Sequence, residues 1–146
     1  MNEKMQNPSP EEISPDEVNA GYRGTLMESL GITFTRLFPG HCEAVMPVGK
    51  RVCQPFGLLH GGATLVLAET VAGQGSLMLC AADEVAAGIQ VSGNHLSSAR
   101  EGETVGAVGT LLQRGRTLHV WNVDITAADG RMISTVRVIN SIRKRR

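Results

Sequence analysis

Net charge is the first thing this chain lacks. Fourteen Lys and Arg residues offset fourteen Asp and Glu, so no overall field draws it toward nucleic acid or an anionic membrane, and a small-molecule target is expected. Cysteine pairing is missing as well: Cys42, Cys53 and Cys80 are odd in number, far apart and in no CxxC or Cys/His metal spacing. They read as reduced thiols of a cytoplasmic protein without a metal site. No GxGxxG follows a strand pattern, no GxxxxGK precedes Ser or Thr, and no Gly-x-Ser-x-Gly elbow occurs. The glycines therefore mark neither a nucleotide site nor a serine triad. Met1 to Pro10 carry neither the basic nor the apolar region of an export signal, so none is expected.

What is present is one long apolar run, Leu58 to Ala82. It has the length of a membrane span, but it contains His60, Gln74, four glycines and Glu69, and no second span follows, so it reads as a buried helix. Glu69 is its only charged side chain. Burying a carboxylate costs several kcal/mol unless something compensates, because burial disfavours the charged form. Such a residue is either at work or a satisfied structural group.

At 146 residues and 42% hydrophobic content the chain suffices for one domain with a real core. Residues 1–13, rich in Pro, Ser, Asn and Glu, are expected to form a mobile leader, with one domain over 14–146. Ser14-Pro15-Asp16-Glu17 and Thr25-Leu26-Met27-Glu28 both read as capping boxes and predict two short helices. Ile32 to Phe38 and His41 to Val48 predict a hairpin about Pro39-Gly40. After an irregular stretch, Gly49 to Leu59, comes the long helix from His60 to Ala82. Four strands are then predicted: Val85 to Leu96, Thr104 to Gln113, Thr117 to Ala127 and Arg131 to Ile142. Tight turns at Glu101-Gly102, Arg114-Gly115-Arg116 and Asp129-Gly130 would join them in order. This is an α+β arrangement, an antiparallel sheet curled round one central helix, which is the hot-dog fold.

The run Gln54-Pro55-Phe56-Gly57-Leu58-Leu59-His60-Gly61-Gly62-Ala63, followed by Leu67-Ala68-Glu69, resembles the active-site segment of hot-dog acyl-CoA thioesterases of the phenylacetate type. Within that family it is most similar to the branches that hydrolyse 1,4-dihydroxy-2-naphthoyl-CoA in menaquinone synthesis and that proofread enterobactin assembly. Asn94-His95, Ser98-Ala99-Arg100-Glu101-Gly102 and the neighbourhood of Trp121 extend the resemblance from Leu26 to Ile139. It implies that Glu69 is the catalytic carboxylate, as nucleophile or as general base on water, with His60, Gly61 and Gln54 assisting. It also implies an aromatic acyl-CoA substrate, no cofactor beyond the coenzyme A of that substrate, and a tetramer built as a pair of dimers. A misacylated carrier protein, or acyl-CoA binding without turnover, are the alternatives.

Physical chemistry agrees with the assignment. Free N–H groups at a helix start favour developing negative charge, and Gly61 and Gly62 let a ligand approach the backbone. Glu69 lies nine residues beyond His60, about 13 Å along a helix axis, so one helix cannot bring both to one carbonyl. Two antiparallel helices can, and the site should be shared across a two-fold homodimer. Close relatives carry a hydroxyl four residues after the glutamate; here Gly73 stands there, leaving either a wider acyl pocket or Ser76, one turn deeper, to position water. His95 is a candidate substrate contact. Ser97, Ser98 and Arg100, and separately Arg114, Gly115 and Arg116, are candidate loops for the phosphates of coenzyme A. The basic tail Arg143 to Arg146 reads as a solvated end or a phosphate contact.

Overall fold

The computed structural model describes residues 11–146. Residues 1–10 of the expected leader lie outside these. Ile13 is tied in: its N–H donates to the Leu37 carbonyl at 2.9 Å and its side chain packs on the core.

Two short helices open the domain, α1 (Pro15–Gly21) and α2 (Leu26–Ser29). Pro15 occupies the first turn of α1, where its missing N–H costs nothing. Neither expected capping box forms. Ser14 makes no side-chain cap, and the Thr25 hydroxyl and N–H both donate to the Tyr22 carbonyl, so Glu28 reaches back to the Gly24 N–H instead. Asn19 docks α1 on the sheet: its amide nitrogen donates to the Phe34 carbonyl at 3.0 Å while its oxygen accepts from the Phe34 N–H at 2.8 Å.

Six strands follow: β1 (Thr33–Phe38), β2 (His41–Pro47), β3 (Glu84–His95), β4 (Thr104–Arg114), β5 (Leu118–Ala127) and β6 (Met132–Lys144). They form one antiparallel sheet in the order β1-β2-β4-β5-β6-β3. Alternation decides which face is buried. Cys42, Ala44 and Met46 of β2, Val105 and Ala107 of β4, and Trp121, Val123 and Ile125 of β5 all turn inward. They pack on α3 (Gly61–Leu77), which lies across the inner face of the sheet.

The turns do not join the last four strands in sequence order as expected. β3 pairs with β6 at the far edge, and residues 96–103 cross back to place β4 beside β2. Local turn signals at Glu101-Gly102 are the same for a hairpin and for the end of a crossover, so only the pairing distinguishes them. The central helix also stops five residues before Ala82. Bonds from Leu79 to the Ser76 carbonyl and from Cys80 to the Leu77 carbonyl tighten the last turn, and Arg114 takes the Leu79 carbonyl at 3.0 Å.

Gly75 allows α3 to sit this close to the sheet: a β-carbon there would stand 2.5 Å from the Trp121 ring. The opposite side of α3 is left uncovered. Leu77 is 43% exposed, Glu69 is exposed rather than buried as expected, and Ala87 to Gln90 of the β3 edge are exposed beside them.

Candidate functional site

His60 forms the start of α3. Its backbone is extended, and its Nδ1 accepts from the Gly62 N–H at 2.8 Å, which fixes the ring proton on Nε2. Its carbonyl accepts from Ala63 and Thr64. Among the described residues nothing accepts from the Gly61 N–H, so of the two glycines expected to supply donors only Gly61 has one to spare.

Gln54 reaches the same place from the preceding loop. Its Oε1 accepts from the Phe56 N–H at 2.5 Å, and its backbone pairs with Leu58 and Gly57, the latter at φ 77°. With the oxygen braced in the loop, the amide nitrogen is left as a donor toward the cavity in front of Gly61. That cavity, about 150 Å³, is lined by Gln54, Gly61, His95, Ser97 and Ser98 among others. His95 closes it from β3: Ser134, fully buried, holds its Nδ1 at 2.7 Å, and its Nε2 lies against Gly61. The crossover loop is stitched to the helix-start loop by Leu59 N–H to the Ala99 carbonyl and Glu101 N–H to the Gly57 carbonyl. Residues forty apart in sequence are brought together in this way.

Within the crossover loop, the Ser97 hydroxyl is spent on the Met132 carbonyl and the Ser98 carbonyl takes the Arg131 guanidinium, both at 2.7 Å. Arg100, exposed, follows the lining residues Ser97 to Ala99, and its backbone N–H donates to the Glu103 carboxylate. Arg114, Gly115 and Arg116 lie elsewhere, at the other end of α3. Arg114 caps Leu79 there and Gly115 closes a turn by donating to Leu118 at 2.8 Å. One chain does not bring the two expected phosphate loops together.

Nor does one chain bring Glu69 to Gly61, eight residues away on α3 and about 12 Å along its axis. Glu69 instead lines a cavity of about 340 Å³ with Tyr22, Gly73 and Gln74. A β-carbon at Gly73 would meet nothing within 4 Å, so this position opens space, as one of its two sequence readings holds. The other reading fails. Ser76 is fully buried, and its oxygen accepts from Trp121 Nε1 and from Asn140 Nδ2, both at 2.9 Å. With both lone pairs taken, its proton can only go to His119 Nδ1 at 3.0 Å, so no hydroxyl remains for water.

Tyr22, the chain's single tyrosine, and Ser134 are site-lining residues that sequence reasoning missed. Tyr22 stood in a helix break flanked by Gly21 and Gly24, a signal for a turn only. Ser134 was one member of an alternating strand, and its partner His95 is 39 residues away. Among the described residues no group of three or more His, Cys, Asp or Glu could hold a metal, and no helix is long and apolar enough to cross a membrane.

Comparison with known proteins agrees with this geometry. Residues 56–134 match the thioesterase superfamily model. The chain is 36% identical to the putative esterase PA1618 of Pseudomonas aeruginosa, over 87% of this chain and 88% of that one. A crystal structure of a mutant of that thioesterase superposes with a TM-score of 0.88 at 32% identity, covering 91% of this chain and 96% of that one. The 1,4-dihydroxy-2-naphthoyl-CoA hydrolase of Escherichia coli is 35% identical over 89% and 95%. The proofreading thioesterase EntH of Cronobacter sakazakii is 37% identical over 87% and 92%. The family match, the sequence identities and the superposition all lead to enzymes of one family: this chain belongs to the thioesterase superfamily and is a hot-dog-fold thioester hydrolase.

Proposed function

We propose that the protein hydrolyses an aromatic acyl-CoA, of the 1,4-dihydroxy-2-naphthoyl, benzoyl or phenylacetyl class, to the free acid and coenzyme A, in a site shared by two copies of the chain. The observation that carries this reading is the unspent Gly61 N–H facing the Gln54 amide, with Glu69 on the same helix yet exposed about 12 Å away. A second copy running antiparallel, its α3 and β3 edge against those of the first, sets Glu69 of one chain opposite Gly61 of the other and covers the bare helix face.

In that arrangement the Gly61 N–H and the helix dipole receive the thioester oxygen as it gains charge, and the Gln54 amide nitrogen holds the acyl carbonyl and water in place. His60 assists by fixing the helix start through Gly62, its ring lining a separate cavity with Arg51 and Cys53. Such donors typically lower a barrier by a few kcal/mol. Glu69 then attacks the carbonyl carbon, giving an anhydride that water cleaves, or takes a proton from the attacking water. Either route expels the coenzyme A thiolate. The similarity to the naphthoyl-CoA hydrolase supports the aromatic acyl class, and His95 and the Ser97–Arg100 rim are the chain's contacts for the thioester arm. A pair of dimers in the cytoplasm completes the reading.

The test is release of free thiol from naphthoyl-, benzoyl-, phenylacetyl- and straight-chain acyl-CoA, with Glu69→Gln as control. Turnover of an aromatic ester that the variant loses supports the reading. Turnover of carrier-protein thioesters alone, or ligand binding with no turnover, would replace it.

A further inference from the structure

Beside Glu69 the 340 Å³ cavity opens between the bare face of α3, the junction of α1 and α2, and the start of β3. Its walls are mostly carbon, from Leu26, Met27, Val66, Leu77 and Ala86. The polar groups can be taken one at a time. Thr70 lines the cavity, but its hydroxyl donates to the Val66 carbonyl at 2.7 Å. Gly73 contributes only space. What remains besides Glu69 is one joined pair: the Tyr22 hydroxyl donates to Gln74 Oε1 at 2.9 Å.

That pair is held from behind and unfinished in front. The Tyr22 ring packs on Phe34 with centroids 5.4 Å apart. Burial, and then the charge of Cys42, push its phenol up to about 12, so it keeps its proton and remains a donor. With Oε1 engaged, both N–H groups of the Gln74 amide are without an acceptor among the described residues. No buried side-chain nitrogen or oxygen among those residues lacks a partner, so this amide nitrogen faces open space rather than a sealed wall.

We propose that the Tyr22–Gln74 pair is the specificity element of the acyl pocket, selecting an aryl ring that carries a hydrogen-bond acceptor, a hydroxyl or carbonyl oxygen, on the side remote from the thioester. The inference rests on the thioesterase reading and deepens it. Gln74 is five residues beyond Glu69, about 7.5 Å along the helix axis. A carboxylate and an amide at that separation bracket a ring with a meta or para substituent; an ortho oxygen would stay beside the thioester carbon, away from Gln74. An unsubstituted ring would bury the amide N–H groups with nothing to accept them, and a site built to bond a polar substituent rejects such an analogue more strongly than a carbon wall does.

The test compares kcat/KM for 4-hydroxybenzoyl-, 2-hydroxybenzoyl- and benzoyl-CoA in the wild type, Gln74→Leu and Tyr22→Phe, with dissociation constants of the matching non-hydrolysable thioether analogues. The wild type should favour the 4-hydroxy ester over the other two by about tenfold or more in both measurements. Gln74→Leu should bring the ratio near one by losing its preference for the 4-hydroxy ester, and Tyr22→Phe should fall between. Equal binding of the analogues by the wild type, or a ratio unchanged in both variants with only a lower melting temperature, would overturn the proposal and make the pair a tie between α1 and α3. Preferential binding without turnover of any ester would overturn the thioesterase reading and leave the pair standing.

Discussion

The His95 imidazole rests on the backbone of Gly61 so closely that a β-carbon at residue 61 would stand 2.6 Å from its Nε2. Because Ser134 holds the other side of the ring at 2.7 Å, the imidazole has little room to yield. Gly61→Ala should therefore keep the fold, since no core residue is displaced, yet lose about a hundredfold or more in kcat as the approach to the helix N–H is blocked. Steady-state kinetics beside a thermal melt check this. Unchanged kcat would remove Gly61 from the site.

Ser76 is the hub that pins α3 to the sheet. Ser76→Ala leaves the Trp121 and Asn140 donors facing a methyl group, at a cost of about 1–3 kcal/mol, seen as a lower urea midpoint. Activity per folded molecule should not change, whereas a hydroxyl that positioned water would show the reverse pattern.

His119 lends the same hub a pH dependence. Burial, and then the charge of Arg114, hold its imidazole below the ordinary 6.5, and the Ser76 proton occupies its Nδ1. Above 6.5 both states are neutral here and the contribution is complete. As pH falls below 6.5 the unfolded chain binds a proton that the folded chain refuses, so stability declines until the lowered folded value is passed. The urea midpoint of wild type should fall between pH 7.5 and 5.5 by more than that of His119→Gln. Parallel curves would contradict the assignment.

The three thiols should separate by reactivity. Cys42 is fully buried, and burial followed by the charge of Glu43 pushes its thiol up to about 12. Cys53 and Cys80 are only partly covered. Alkylation of the native protein at pH 8 should label Cys53 and Cys80 and spare Cys42 until denaturant is added, as read by peptide mass spectrometry.

Gly73→Ser tests the open wall. Space exists for the side chain, and serine is a better helix residue than glycine by a few tenths of a kcal/mol, so stability should hold or rise slightly. Filling the wall four residues from Glu69 should lower turnover of a two-ring acyl group relative to a one-ring one. Unchanged rate and preference would make this position irrelevant to the pocket.

The sequence was legible where a local pattern has one structural meaning. His60-Gly61-Gly62 ahead of an apolar run meant a helix start, and Pro39-Gly40 between two strand-like runs meant a hairpin. It was not legible where the meaning lies in a distant partner. The turn at Glu101-Gly102 does not state that β3 pairs with β6, nor does Ser76 announce that Trp121, His119 and Asn140 converge on it from β5 and β6. Glu69 was expected to be buried because its neighbours in sequence are apolar; in one chain it is exposed, on the side of α3 turned away from the sheet. The pairing of Tyr22 with Gln74, fifty-two residues apart, left no sequence signal at all.

The most direct test of the shared site is subunit complementation. Glu69→Gln and Gly61→Ala chains, each inactive alone, are unfolded together in equal amounts, refolded and assayed for thiol release. If each site takes Gly61 from one chain and Glu69 from the other, half of the dimers are mixed and one of their two sites is intact, so about a quarter of wild-type activity should return. No recovery, with mixed dimers verified by mass spectrometry, would contradict a site built by two chains.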